Sequence, residues 1–189
     1  QLAGLPAVPG LTVIRPADAN ETAVAWRVAL EVGDRPVALV LTRQNVPTLD
    51  RNQCAAADGL RQGAYVLADA PNGRPDVTLI ATGSEVALIM AARQSLQERN
   101  VMARVVSMPS WDLFDAQPRS YRDQVLLPSV HARLAVEAGA SQGWHRYVGD
   151  HGDVLGVDRY GASAPGDVVM REYGFTVDNI CKRAMAVLG

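Results

Sequence analysis

Short β-prone runs of apolar residues alternate with longer stretches of helical spacing along this chain of 189 residues. The first run covers residues 12–15, and apolar positions at helical spacing follow within residues 20–30. Asp18 and Glu21 are three positions apart, the spacing of a capping box, so we expect the helix to begin beside them. A second apolar run, residues 36–42, completes the order strand, helix, strand, which is the βαβ pattern of a parallel sheet with a right-handed crossover.

A polar, turn-rich segment between Leu49 and Pro75 interrupts this pattern and is predicted to link two domains. Within it, residues 65–67 form a candidate short strand. Beyond it, the pattern predicts strands at residues 77–81, 103–108, 134–136 and 154–157, and helices at residues 84–99, 121–127, 167–173 and 176–188. Gly174 is the predicted C-cap between the last two helices. Since strands and helices alternate, the sequence predicts the α/β class with a mostly parallel sheet.

The residues before Leu49 contain too few elements for a domain of their own. Two strands and one helix do not bury enough apolar surface to close a core. The chain also starts with Gln1 and has no initiator methionine. We therefore expect this region to be the end of a domain whose earlier part is absent, as in a truncated piece, a proteolytic product or a portion of a larger enzyme.

The composition is that of an ordinary globular protein, with 48% hydrophobic residues, 20% charged residues and a net charge of -2. It lacks the basic excess of a nucleic-acid-binding protein, and its apolar runs are much shorter than the roughly 18 residues of a membrane span. The cysteines Cys54 and Cys181 form no CxxC pair, so we expect reduced thiols. The sequence thus predicts a cytoplasmic protein without nucleic-acid or membrane partners.

Arg43 is the candidate binding residue, because it comes directly after the predicted strand of residues 36–42. Ligands of open α/β sheets collect at the carboxyl ends of strands, and a guanidinium fork suits a phosphate. The alternative is an ordinary surface cation, since one arginine after one strand does not define a site. From the residues alone both interpretations stay open.

Two other positions at predicted strand ends have a functional and a structural interpretation. The turn of residues 82–85 joins a strand to a helix, where free backbone amides can hold an anion, although it lacks the spacing of a dinucleotide fingerprint or a P-loop. Its alternative is a tight turn in which Thr82 or Ser84 caps the helix. Glu137 is either a carboxylate directed toward the strand ends or a structural hydrogen-bonding group.

The histidines His131, His145 and His151 give no metal or catalytic motif. None pairs at the i,i+4 spacing of a metal-binding helix, and no cysteine lies near them in the sequence. Each is interpreted as an ordinary polar side chain. Motifs of serine hydrolases, kinases and zinc sites are also absent from the sequence. The residues alone therefore predict an α/β protein with one candidate cation for a phosphate or an oxyanion.

The chain also resembles a known family over nearly its whole length. Early segments resemble the last part of the pyrimidine-binding domain of transketolases: RPADANET at residues 15–22, Ala25-Trp26, and LTRQN at residues 41–45. Later segments resemble the carboxyl-terminal domain of the same family: LIATGSEV at 79–86, VSMPSWDLF at 106–114, AVEAG at 135–139, Trp144 with YVG at 147–149, GASAP at 161–165 and GFTVDN at 174–179. Because the segments follow in the family's order, chance similarity is a poor explanation.

This resemblance implies a domain order and an activity. Residues 1–68 would be the end of the pyrimidine-binding domain with a linker, and residues 69–189 a three-layer carboxyl-terminal domain. Transketolases transfer a two-carbon ketol unit between phosphorylated sugars with thiamine diphosphate and a divalent cation, Mg²⁺ or Ca²⁺, and we expect a homodimer. Arg43 matches the arginine that grips the terminal phosphate of the substrate in that family.

The rest of the family's machinery has no counterpart in this sequence. Its Gly-Asp-Gly segment for diphosphate and metal, its glutamate that activates the aminopyrimidine, and its histidines and aspartate for substrate hydroxyls precede the matching region. The resemblance therefore implies no catalytic, cofactor-binding or metal-binding residue here, and we expect the chain alone to be inactive.

Two alternatives stand beside a transketolase. One is a related thiamine-dependent enzyme, such as a dihydroxyacetone synthase, a deoxyxylulose-phosphate synthase or the beta subunit of a ketoacid dehydrogenase, although residues 43–45 and 174–179 fit transketolase better. The other is a non-catalytic interaction or regulatory module that retains the fold without the chemistry.

Overall fold

Two sheets and seven α-helices make up the part of the chain that the structure, a computed structural model, describes, which is residues 2–189. The strands are β1 Thr12–Ile14, β2 Val37–Leu39, β3 Tyr65–Ala68, β4 Val77–Ala81, β5 Ala103–Ser107, β6 Arg133–Val136 and β7 Asp153–Leu155. The α-helices are α1 Ala19–Glu31, α2 Glu85–Gln97, α3 Trp111–Asp115, α4 Arg119–Val125, α5 His145–Val148, α6 Gly166–Glu172 and α7 Val177–Ala186. The 3₁₀ segments Leu2–Ala7 and Ala57–Gln62 precede β1 and β3.

The smaller unit consists of β1, α1 and β2, and its two strands pair in parallel. The predicted capping box is present at the N-terminus of α1. The Asp18 carboxylate accepts a hydrogen bond from the Glu21 N–H at 2.8 Å, and the Glu21 carboxylate accepts one from the Ala17 N–H at 2.8 Å. Both bonds satisfy backbone donors that would otherwise lack partners at the start of the helix.

A small apolar core lies between α1, the smaller sheet and the 3₁₀ segment Ala57–Gln62. The buried side chains of Ile14, Val28 and Leu60 belong to it. On the outer side of α1, Leu30 is 81% exposed. The smaller unit therefore buries one face of α1. Part of that face packs against the 3₁₀ segment Ala57–Gln62, which precedes β3 of the larger sheet.

The larger unit, from β3 to α7, contains a sheet of five strands in the order β3-β5-β4-β6-β7. Strands β5, β4, β6 and β7 are parallel, and the edge strand β3 is antiparallel to β5. The chain runs from β4 to β5 on one side and then crosses to β6 on the other side of β4. Such a reversal is a topological switch point, where the carboxyl ends of β4 and β6 border a crevice.

Helices cover both faces of the larger sheet, which gives three layers. Leu79 of β4 and Leu134 of β6 face one core, which α2 and α7 complete. Ile80 and Ala135 face the opposite core, to which α3, α4 and α5 contribute. Since successive side chains of a strand point to opposite faces, a strand covered on both sides is apolar throughout, and all residues of β4 are buried.

The predicted α/β class with a parallel to mixed sheet is confirmed by this architecture. Strand β4 has the predicted bounds, and Gly174, with φ +82°, is the left-handed glycine that ends α6 directly after its C-cap residue Tyr173. Helices α3 and α5 were not predicted, because segments of 5 and 4 residues are too short to show a helical period. The predicted strand of residues 36–42 is wrong in its length, since β2 ends at Leu39.

No helix within residues 2–189 is long and apolar enough to cross a membrane. Both cysteines are free thiols in the structure, Cys181 in the core beside α2 and Cys54 partly exposed near β3. Burial raises the pKa of both thiols, so their reactive thiolate form is disfavoured.

Candidate functional site

Arg43 lies in an exposed bend beyond the carboxyl end of β2. The Val40 N–H still donates a hydrogen bond to the Ile14 carbonyl of β1, at 2.9 Å. After Val40 the chain leaves the sheet, and residues 41–45 are exposed. Arg43 is therefore at the predicted edge of the sheet, although it does not follow the strand directly.

Among the side chains that the structure describes, none forms a hydrogen bond or an ion pair with the Arg43 guanidinium. Its neighbours hold the bend, since the Thr42 hydroxyl accepts a hydrogen bond from the Gln44 N–H at 3.1 Å. The Gln44 side chain extends to Gly166 at the start of α6, where an added Cβ would lie 2.7 Å from the Gln44 Nε2. An exposed guanidinium with this environment keeps its N–H donors available for a ligand.

A second arginine, Arg15, directly follows β1 and has a different environment. Its guanidinium donates a hydrogen bond to Glu137 and lies 3.7 Å from Glu85. The side chains of Arg15, Glu85 and Glu137 are 16%, 0% and 8% exposed. They lie in the crevice at the carboxyl ends of β4 and β6. The place where an open α/β sheet holds a ligand is therefore filled by a side chain of the smaller unit.

Backbone hydrogen bonds fix Arg15 in this crevice. Its N–H donates to the Pro109 carbonyl at 2.8 Å, and its carbonyl accepts bonds from the Gly83 N–H and the Thr82 hydroxyl, both at 3.2 Å. Gly83 has φ +58°, a left-handed conformation that glycine adopts without strain. Two donors of the turn at residues 82–85, the Gly83 N–H and the Thr82 hydroxyl, thus bond to the smaller unit.

Glu85 is the most deeply buried acid of the crevice. Its carboxylate accepts hydrogen bonds from the Ser84 hydroxyl at 2.6 Å and from the Ala138 N–H at 3.1 Å. Burial raises the pKa of Glu85 above its ordinary value, and the neighbouring Glu137 carboxylate adds to the shift, while the hydrogen bonds and Arg15 oppose it. Two carboxyl groups share one guanidinium, so the crevice favours cations and protons over anions.

These contacts count against both interpretations of residues 82–85, the side-chain cap and the anion site. Ser84 is the N-cap residue of α2, yet its hydroxyl bonds to Glu85 and makes no capping bond. The Thr82 hydroxyl bonds to Arg15, so the expected side-chain cap is absent from both positions. The two acids beside the turn disfavour an anion there. Of the two roles expected for Glu137, the structure shows the structural one, because its carboxylate pairs with Arg15.

A cavity of about 50 Å³ opens beside Arg15 and Glu137. A cavity of this size holds a few water molecules. Its wall includes Trp111, Trp144 and Asp112. The Asp112 carboxylate accepts a hydrogen bond from the Val13 N–H of β1 at 3.2 Å. The cavity therefore belongs to the contact between the two units.

Glu21 is a second buried acid at this contact, and sequence reasoning missed the role of its side chain. It is 0% exposed and accepts hydrogen bonds from the Tyr65 hydroxyl at 2.7 Å and the Ser107 hydroxyl at 2.8 Å. Both donors belong to the larger unit. Burial raises the pKa of Glu21 and also that of Tyr65. The capping spacing is the only local pattern that involves Glu21. Its contacts with Tyr65 and Ser107 join residues far apart in the sequence, so no sequence pattern predicts them.

The structure brings two of the three histidines together. The ring centroids of His131 and His151 are 5.9 Å apart in an edge-to-face arrangement, whereas His145 begins α5. The pair joins residues far apart in the sequence, so no spacing rule indicates it. In the described part of the chain, no group of three or more His, Cys, Asp or Glu side chains is placed to hold a metal ion.

Two family profiles match the chain. The profile described as "Transketolase, pyrimidine binding domain" matches residues 1–48, which include Arg43 and the smaller unit. The profile described as "Transketolase-like TK C-terminal domain" matches residues 63–176, which contain the larger sheet with Glu85 and Glu137. The two profiles thus follow each other in the order of the two structural units.

Curated relatives match the chain from end to end. The transketolase of Geobacillus stearothermophilus is 60% identical over 188 residues, and the match covers 100% of this chain and 28% of the relative. The transketolase of Bacillus subtilis (strain 168) is 51% identical over 188 residues, with the same shares of 100% and 28%. The chain therefore spans about 28% of the length of these relatives.

Solved structures show the same fold. Transketolase from Leishmania mexicana has a TM-score of 0.90 and 38% sequence identity, with 99% of this chain and 26% of that chain covered. Transketolase from Campylobacter jejuni subsp. jejuni NCTC 11168 has a TM-score of 0.87 and 30% identity, with 98% and 27% covered.

Proposed function

Because the chain belongs to the transketolase family, we propose that it contributes to two-carbon ketol transfer between sugar phosphates as part of a longer protein. Its single contribution to substrate binding is the exposed Arg43, which carries the proposal. A similar transketolase from Pichia stipitis, with a TM-score of 0.90 and 34% identity, has been solved in complex with sedoheptulose-7-phosphate. Sugar phosphates are therefore the substrate class that we propose here.

Arg43 would hold the terminal phosphate of the sugar. A guanidinium forms two parallel charge-assisted hydrogen bonds with phosphate oxygens, which gives both affinity and orientation. Its position beyond β2 is the edge of the smaller sheet where ligands of open α/β sheets collect. The phosphate is remote from the bond that breaks, so this contact binds the substrate and the transition state equally.

The thiamine diphosphate and its cation, Mg²⁺ or Ca²⁺, would be held by other parts of the longer protein, because the family's Gly-Asp-Gly segment and its activating glutamate have no counterpart in this sequence. We propose that residues 1–68 contain the end of the pyrimidine-binding domain and the linker, and that residues 69–189 form the carboxyl-terminal domain, to whose sheet β3 at the end of the linker adds an antiparallel edge strand. The intact enzyme would be a cytoplasmic homodimer, to which the carboxyl-terminal domain supplies packing. The chain alone would not turn over substrate.

Arg43→Ala in the longer protein tests the proposal. Charge-assisted hydrogen bonds contribute about 1.5 to 3 kcal/mol, so KM for phosphorylated donors should rise about 10- to 150-fold. kcat should change less, because the lost interaction stabilises the bound substrate and the transition state equally. Arg74→Ala, which removes another exposed arginine in the turn before β4, is the matched control and should leave KM unchanged. An unaltered KM in the Arg43 variant would refute the assignment.

The choice of acceptor separates transketolase from its nearest relatives. The longer protein should use ribose 5-phosphate, and a preference for formaldehyde would instead identify a dihydroxyacetone synthase. The purified chain, supplied with thiamine diphosphate and Mg²⁺, should show no ketol transfer in the same assay. Turnover by the chain alone would contradict the proposed location of the cofactor.

A further inference from the structure

His131 and His151 occupy equivalent places at the amino ends of two neighbouring strands. His131 precedes β6 and His151 precedes β7, and β6 and β7 pair in parallel from Leu134 with Asp153 onward. Both imidazoles are exposed, and their ring centroids are 5.9 Å apart. This edge of the sheet is opposite to the crevice that Arg15 fills, and neither histidine belongs to the proposed phosphate site at Arg43.

We propose that His131 and His151 together bind one divalent transition-metal ion, with water completing its coordination. Imidazole is a borderline ligand that suits Cu²⁺, Ni²⁺ and Zn²⁺. With metal–nitrogen bonds of about 2.1 Å, two imidazoles on one ion have ring centroids roughly 4.5 to 6.5 Å apart. The observed separation already lies in this range. The proposed site requires that one nitrogen of each exposed ring turns toward the shared ion.

The backbone around the pair is fixed, which limits the ordering that an ion must impose. Gly152 follows His151, and an added Cβ there would lie 2.5 Å from the Val148 carbonyl oxygen and 2.8 Å from that of Arg133. The loop before β7 can thus approach the start of β6 only because this residue has no side chain. The two histidines are thereby held on adjacent, hydrogen-bonded strands.

Charges of both signs lie near the pair. The Arg133 guanidinium is partly buried and donates to the carbonyls of Val130, Tyr147 and Leu127 at 2.8 to 2.9 Å, which surround its positive charge with carbonyl oxygens. Asp150, next to His151, is exposed and adds negative charge to the same loop. Because the site offers nitrogen ligands, it should select transition metals over Mg²⁺ and Ca²⁺, which prefer oxygen.

Calorimetric titration of the purified chain with Cu²⁺ tests this inference, because Cu²⁺ binds nitrogen sites most tightly of these ions. We expect one ion per chain and an electron paramagnetic resonance spectrum with nitrogen coupling. His131→Ala and His151→Ala should each weaken binding at least as much as the loss of an outer-shell partner, which is about 10- to 100-fold. His145→Ala is the matched control, because it removes the third histidine and should bind Cu²⁺ as the unmodified chain does.

Each outcome decides the matter. Equal loss in the two single variants, no further loss in the double variant, and no binding of Mg²⁺ in the same titration would support the site. Unchanged affinity in either variant, loss of binding in His145→Ala, or no heat and no spectral change with the unmodified chain would overturn it. Since both rings are exposed, circular dichroism should show that the variants remain folded.

Discussion

Arg15 and Arg43 lie beyond the carboxyl ends of neighbouring parallel strands of the same small sheet, yet they differ in burial and in their ionic partners. Arg15 is 16% exposed and contacts two buried acids of the larger unit. Arg43 is exposed in a bend, without an ionic partner among the described side chains. The same type of side chain beyond two neighbouring strands therefore has two different environments. The buried arginine fastens the units together, and the exposed one is free for a ligand.

This difference shows that position after a strand does not by itself identify a binding residue. Both arginines satisfy the rule that ligands collect at the carboxyl ends of strands. What separates them is whether another part of the chain supplies carboxylates. Arg15 has a structural role, because it is buried with Glu85 and Glu137. Its replacement should destabilise the contact between the two units.

Arg15→Ala should give the largest effect. Removal of one partner from a buried ion pair leaves an uncompensated charge and destabilises a protein by about 3 to 5 kcal/mol. Urea denaturation of the chain, followed by tryptophan fluorescence and circular dichroism, measures the loss. Arg27→Ala, at an exposed position of α1, is the control. A stability equal to that of the control would show that the crevice contact is dispensable.

Arg15→Lys should have an intermediate effect. A lysine keeps the positive charge, but its single ammonium cannot present the planar fork that reaches Glu85 and Glu137 together. Loss of one charge-assisted hydrogen bond corresponds to about 1.5 to 3 kcal/mol. The same denaturation experiment checks this value, and full retention of stability would mean that charge alone, without geometry, holds the contact.

Glu85→Gln should change the dependence of stability on pH. The folded pKa of Glu85 is raised by burial, so the folded state binds its proton more tightly than the unfolded state does. Stability from this group is complete below the ordinary pKa of 4.5 and decreases as pH rises from there through the raised folded value. The variant has no ionisable group at this position, so the decrease of its unfolding free energy with rising pH should be smaller. Denaturation midpoints measured from acidic to neutral pH provide the comparison, with Glu98→Gln, an exposed glutamate after α2, as control.

Arg43→Ala should have the smallest effect on stability. Surface substitutions away from caps, cores and ion pairs change it by no more than about 0.5 kcal/mol. A small change in the free energy of unfolding, together with the large change in KM described above, would distinguish Arg43 as a binding residue from Arg15 as a structural one. A marked loss of stability would instead place Arg43 in the same class as Arg15.

Local features of this fold are readable in the sequence, whereas its long-range pairings are not. The capping box of Asp18 and Glu21 and the left-handed glycine at the end of α6, Gly174, depend on residues close in the sequence, and both are present in the structure. The contact of Arg15 with Glu137 depends on the docking of two units, for which no local pattern exists. The role of Arg43 stays a prediction, because its environment shows an available cation and no ligand.

The distance along the chain between the partners of Arg15 has a consequence for the kinetics of folding. Arg15 and Glu137 are separated by 122 positions, and Glu21 and Ser107 by 86. Contacts between such distant residues close large loops, which slows the search for the native topology. β1 and α1 can acquire their final partners only after β4, β5 and β6 have assembled, so we expect the amino-terminal elements to be the last to gain protection from hydrogen exchange during refolding.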